Sequence, residues 1–172
     1  MANQEIPVNN VLFLKNKVFM KEVFEMLEEG KKVTIPVRGY SMRPFLEDRR
    51  DKVVLTTPYP PSIGEPVMAE IEPGVYVLHR VIDIKGKIII LKGDGNLDGT
   101  ESCYISQIVA CVDHFIRKGR SYTPRSLTWR VYSRIWLALT PFRAKLLYIY
   151  RHLPSVRKTV NQYRQYETKK RF

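Results

Sequence analysis

Cysteine is scarce in this chain of 172 residues: only Cys103 and Cys111 occur. Two thiols cannot staple a small scaffold, and neither belongs to a Cys-x-x-Cys or His-rich zinc pattern. Both fall in or beside apolar runs, where a reduced, partly buried cysteine is expected. No metal and no cofactor is expected. Long hydrophobic runs are missing too. Val11–Met20 is apolar but broken by Lys15 and Lys17, has no small-residue cleavage site after it and runs into Lys21, Glu22 and Glu25. Ile135–Phe142 is held between Arg134 and Arg143, well short of the roughly 20 apolar residues of a membrane-crossing helix. Neither a signal peptide nor a transmembrane span is therefore expected, and the expected location is cytoplasmic, peripheral on the inner membrane face.

Acidic residues are the third scarcity, confined to one part of the chain. Residues 117–172 hold a single acidic side chain, Glu167, against 15 basic ones. Residues 1–116 hold 16 acidic and 14 basic side chains, a net of −2 beside the +14 of the tail. The whole +12 thus comes from the C-terminal third. A step this sharp marks a boundary and points to an anionic partner for the tail.

What the chain does contain is a regular change of hydrophobic period. Leu12, Val18, Val23, Phe24 and Leu27 recur at roughly helical spacing, and Gly30 comes next, so residues 10–29 are expected to form one amphipathic helix. From residue 31 the pattern is short Val-, Ile- and Tyr-rich runs: Lys32–Val37, Lys52–Thr56, Pro66–Ile71, Val75–Ile84, Lys87–Leu91 and Ile105–Val112. Pro and Gly punctuate the gaps, and Lys85-Gly86 suits a tight hairpin. The expected fold class is mainly β, a small antiparallel barrel or sandwich, with an N-terminal helix and a helical basic tail. Expected boundaries are 1–30 for the helix, 31–118 for the β body and 119–172 for the tail.

In the tail, Trp129, Trp136, Tyr148 and Tyr150 alternate with Arg130, Arg134, Arg143, Lys145 and Arg151. That mixture suits helices in a lipid head-group layer, and it suits equally helices packed on the body with a basic outer face. Pro141 should split the segment into two short helices. Ser155–Phe172 is polar and is expected to fray.

Three short segments carry chemistry. Gly39 lets the backbone bend two residues before Ser41, and Pro44 stiffens the chain just after it. His79 lies inside an apolar strand; the chain has three histidines in all, and the others, His114 and His152, lie at the end of the body and in the tail. Gly93-Asp94-Gly95-Asn96-Leu97-Asp98-Gly99 is a turn-forming loop with two carboxylates. Singly, each is ordinary. Together, a serine, a histidine and an aspartate are the parts of an activated nucleophile.

Gly39-Tyr40-Ser41-Met42-Arg43-Pro44, then His79-Arg80-Val81, then Lys92-Gly93-Asp94-Gly95-Asn96 resembles, in order and in rough spacing, the signal peptidase and self-cleaving repressor superfamily of serine peptidases, the S24/S26 group. The likeness covers about residues 33–113. Bacterial signal peptidases and the repressors use a Ser-Lys dyad, whereas endoplasmic-reticulum-type enzymes place a histidine in a His-Arg-Val context, as here. The resemblance implies Ser41 as nucleophile, His79 as general base and a downstream carboxylate, Asp98 or Asp94, to orient the imidazole. Asp94 matches the Asp of the family's Gly-Asp-x-Asn turn; Asp98 fits the later position of the orienting residue. Gly39, Tyr40, Met42 and Pro44 would line the oxyanion and substrate site. Gly39 stands where many members carry an oxyanion-binding serine, which leaves that task to backbone N–H groups, the N–H of Ser41 first.

The expected activity is therefore that of a serine endopeptidase acting on a peptide or precursor protein. Its tail, residues 120–172, would meet an anionic membrane surface, with nucleic acid the weaker candidate. The alternative is a non-catalytic or repressor-like module whose tail binds nucleic acid or membrane. Repressors place a DNA-binding domain ahead of the peptidase fold, and about 30 residues precede the body here.

Overall fold

The computed structural model describes residues 17–153. A helix, α1 (Lys17–Glu28), comes first. Met20, Val23 and Leu27 bury one of its faces while Lys21, Glu22 and Glu25 stay exposed. That spacing of three and four is the stripe the sequence predicts. The helix stops at Gly30, whose φ of +75° suits a residue without Cβ. The Gly30 N–H donates to the Leu27 carbonyl at 2.9 Å and the Lys31 N–H to the Met26 carbonyl at 2.9 Å, closing the last turn. Residues 10–16 of the expected helix lie outside the described residues.

Eight strands come after it: β1 (Val33–Pro36), β2 (Lys52–Thr56), β3 (Pro66–Glu72), β4 (Val75–Lys85), β5 (Ile88–Lys92), β6 (Glu101–Tyr104), β7 (Ile108–Arg117) and β8 (Arg120–Tyr122). They form one antiparallel sheet in the order β1-β2-β7-β3-β4-β5-β6, with β8 paired to β7. The sheet is not closed, since β1 and β6 are unpaired on their outer sides among the described residues. β6 and β8 have no counterpart among the strands expected from sequence, being short and carrying little apolar signal.

Alternation along the strands sorts side chains into two cores. On β3, Met68 joins the larger core while Val67 and Ala69 join the smaller. On β4, Leu78 goes to the larger and Val77 and Val81 to the smaller. Met20, Val23 and Leu27 of α1 and Met42, Phe45 and Leu46 of the loop after β1 cover the larger core. Cys103 and Cys111 are free thiols in the smaller core, and burial pushes both above the ordinary thiol range.

The tail folds as α2 (Leu127–Ala138), a 3-10 turn over Thr140–Phe142 and α3 (Arg143–His152). Ser126 caps α2 by accepting the Trp129 N–H at 3.3 Å. Pro141 sits in the turn and separates the two helices, as its missing N–H requires. The inner faces pack on the body. Trp129 stacks on Phe115 at 4.5 Å, meets Phe45 edge-on at 4.8 Å and donates its indole N–H to the Gly64 carbonyl at 3.2 Å. Ser133, Trp136, Arg143 and Leu147 are likewise buried. Ser155–Phe172 lies outside the described residues.

Candidate active site

Ser41 stands in the loop between β1 and β2. Gly39, two residues before it, has φ +80°, a left-handed conformation that costs other residues roughly 1–2 kcal/mol. Its N–H donates to Asp48 Oδ1 at 2.8 Å. Burial, only partly offset by this bond, raises the Asp48 carboxyl above its ordinary range. The Gly39 N–H is thereby spent and cannot serve an oxyanion. By contrast, among the described residues no backbone hydrogen bond uses the N–H of Ser41 or Met42.

The segment after Ser41 is braced from the tail. Arg43, buried, pairs with Glu47 and lies over the Tyr40 ring at 3.8 Å. Glu47 also accepts from the Tyr150 hydroxyl of α3 at 2.9 Å. Burial and the Glu47 charge push that phenol up to about 12. Met42 and Phe45 are buried in the larger core, so the loop is held on both sides of the serine. Ser41 itself is 6% exposed.

His79 lies on β4 and is 1% exposed. Its Nδ1 is 2.9 Å from Glu101 Oε2. A carboxylate at Nδ1 fixes the tautomer with the proton there and leaves Nε2 as the basic nitrogen. Burial alone would raise the Glu101 carboxyl, but the hydrogen bond and charge of His79 outweigh it, and Glu101 is held below its ordinary value. The register explains how Glu101 reaches across. The last β4–β5 pair is Arg80↔Lys92 and the last β5–β6 pair is Leu91↔Glu101. Beyond Lys92 the chain leaves the sheet, so no β5 side chain stands between His79 and the start of β6.

Neither aspartate expected from sequence occupies that place. Asp98 is exposed in the loop before β6. Asp94 is buried and holds Arg80: Arg80 Nε and Nη2 donate to its two oxygens at 2.8 and 2.6 Å. Tyr132 of α2 donates to the same carboxylate at 2.8 Å, and the Trp136 indole donates to the Asp94 carbonyl at 3.1 Å. Arg80 is fully buried, also bonds the Gly64 carbonyl and Ser133, and lies over the Trp129 ring at 4.3 Å. Burial works against its charge, but Asp94 overcomes this and holds the guanidinium above its ordinary value.

The loop carrying Asp94 ties the two halves of the site together. The Gly95 N–H donates to the Ser41 carbonyl at 2.7 Å. A Cβ on Gly93 would lie 2.6 Å from the Ser41 carbonyl oxygen, and one on Gly95 2.3 Å from that of Tyr40. Both glycines are needed for close backbone approach, not for a left-handed φ. The structure thus sets the Ser41 loop against the turn after β5, beside the point where β4 carries His79. Among the described residues Ser41 and His79 form no hydrogen bond to each other. Among the described residues no cluster of His, Cys, Asp and Glu could hold a metal ion.

Glu101 is the residue sequence reasoning missed. The one available signal was its position three residues past Asp98, at the head of a strand too short to be read. No family model, no curated protein and no solved structure matches the chain.

Proposed function

We propose that the protein is a serine endopeptidase of the signal-peptidase-like type, with Ser41 as nucleophile, His79 as general base and Glu101 as the carboxylate that orients it. The observation that carries this reading is the buried His79–Glu101 pair on the strand adjoining the loop that grips the Ser41 carbonyl. A buried imidazole bonded to a carboxylate through Nδ1 presents Nε2 as a base. Nε2 takes the Ser41 hydroxyl proton as Oγ attacks a peptide carbonyl. It returns the proton to the leaving amine, and water then hydrolyses the acyl-enzyme by the same base. The unused N–H groups of Ser41 and Met42 are the donors offered to the oxyanion. The bound substrate is an extended peptide, which suits an enzyme built on one open sheet.

A serine-reactive fluorophosphonate probe tests this on the purified chain. The expected result is one adduct per molecule, mapped to Ser41 by peptide mass spectrometry. A folded protein that stays unlabelled at Ser41 and cleaves nothing in a broad peptide mixture would instead be a non-catalytic module.

Glu101→Gln keeps the size of the side chain and removes its charge. Labelling and cleavage are expected to slow by roughly 100-fold, the lower end of what a positioned acid-base pair contributes. The same pair has a pH signature. Because the Glu101 carboxyl is depressed, the stability it gives is present above its ordinary value of 4.5 and is lost as pH falls below it. The gap in melting temperature between wild type and Glu101→Gln should therefore narrow below about pH 4.5. A gap independent of pH down to about 3 would mean that the His79 contact contributes nothing through charge.

A further inference from the structure

The tail helices have two faces, and the body covers one of them. On α2 the covered residues are Trp129, Ser133 and Trp136. Leu127, Val131 and Ile135, spaced by four, point the other way and are 76%, 47% and 53% exposed. Phe142 in the turn and Tyr148, Ile149 and Leu153 on or just after α3 are exposed as well. A folded chain rarely leaves so many large apolar side chains on one pair of helices in water. The polar residues among them are of one sign: Arg130, Arg134, Lys145 and Arg151 are all exposed, and residues 117–153 contain no acidic side chain.

Beside this stripe the surface has a hollow between α2 and the Ser62–Glu65 turn. Arg125, Arg130 and Arg134 line it together with Ser62 and Gly64. Its one carboxylate, Glu65, accepts the Ser62 N–H at 3.1 Å. Three arginines around a hollow offer forked donors suited to phosphate oxygens.

We propose that the outer face of α2 and α3 docks on a bilayer of anionic phospholipid. Leu127, Val131, Ile135, Phe142 and Ile149 enter the boundary between head groups and acyl chains, and Arg125, Arg130 and Arg134 take lipid phosphates at the hollow. Charge chooses the occupant: a face with Arg125, Arg130, Arg134, Lys145 and Arg151 against the one carboxylate of Glu65 repels a second copy of itself and attracts an anionic surface. The stripe on α2 favours lipid over nucleic acid, whose bases stack on aromatic rings: its exposed apolar side chains, Leu127, Val131 and Ile135, are all aliphatic. Neither helix is long and apolar enough to cross a membrane, so the contact is interfacial. The inference is independent of the chemistry at Ser41.

The test is co-sedimentation of the full chain with vesicles of pure phosphatidylcholine and of phosphatidylcholine with about 30% phosphatidylglycerol. Strong binding to the anionic vesicles only is expected. Arg130→Gln with Arg134→Gln should weaken it by about 30-fold, on the scale of lipid attraction per arginine. Val131→Glu with Ile135→Glu should weaken it at least as much; both positions are exposed, so an unchanged circular dichroism spectrum is expected. The proposal is overturned by no vesicle binding, by equal binding to both vesicles, by unaltered binding of both double variants, or by a dimer that Val131→Glu with Ile135→Glu dissociates. Tight binding to an oligonucleotide without vesicle binding overturns it in favour of nucleic acid.

Discussion

Ser41→Ala is expected to stop peptide cleavage, with the rate of product appearance falling by about 10⁴-fold or more when a mixed peptide library is digested and read by mass spectrometry. That loss corresponds to at least about 5.4 kcal/mol of transition-state stabilisation. On the proposed mechanism such an effect comes from removing the attacking atom, since the positioning groups and the N–H donors survive the change. The Ser41 side chain makes no hydrogen bond to another described residue; its backbone carbonyl is what Gly95 holds. Alanine keeps that carbonyl, so stability should change by no more than about 0.5 kcal/mol, a shift of roughly 1–2 °C in melting temperature. His79→Ala is a poorer first experiment. It empties a buried site and strips Glu101 of its partner, so lost activity and lost fold would be confounded. A Ser41→Ala protein that melts normally and cleaves as fast as wild type would place the nucleophile elsewhere.

Ser41 and His79 could be singled out from sequence because each sits in a local context that one strand or one turn defines. The same holds for β2, which the run Lys52–Thr56 marks residue for residue, for the β4–β5 hairpin around Gly86 and for the break at Pro141. The carboxylate partner was not legible, and the reason is alternation. Neighbouring residues on a strand face opposite sides of the sheet. Arg80 points towards Trp129 and the larger core, while His79 shares the face of Val77 and Val81 in the smaller one. An aspartate that meets Arg80 cannot also meet His79. Choosing between Asp94, Asp98 and Glu101 thus needs the register of β4, β5 and β6, and β6 is too short and too polar to announce itself. The tail shows the complementary limit. Its helices and their break can be read from composition, but the choice between packing on the body and facing outwards was never exclusive. Trp129, Trp136 and Leu147 take one side while Leu127, Val131 and Ile135 take the other.

Asp94→Ala is expected to cost about 3–5 kcal/mol of folding stability, the loss typical when one partner of a buried ion pair is removed. For a chain of this size that is a drop of roughly 6–20 °C in melting temperature. Arg80 has no access to water, and without the carboxylate its guanidinium keeps the Gly64 carbonyl, Ser133 and the Trp129 and Tyr132 rings, none of them an anion. The Tyr132 hydroxyl loses its acceptor in the same step. A double-mutant cycle separates this account from simple loss of packing. Arg80→Met removes the buried charge, so adding it to Asp94→Ala should recover part of the loss, giving a coupling energy on the order of 1–3 kcal/mol. Additive losses would mean that the pair contributes only volume. The consequence extends to the site, because Arg80 comes directly after His79 on β4 and Asp94 lies between the two glycines pressed against Tyr40 and Ser41. Loosening the pair frees the turn from the strand. Asp94→Ala should therefore label more slowly at Ser41 even at temperatures where circular dichroism finds the protein fully folded. Asp94→Asn, which still accepts one hydrogen bond from Arg80, should fall between the two on both measurements.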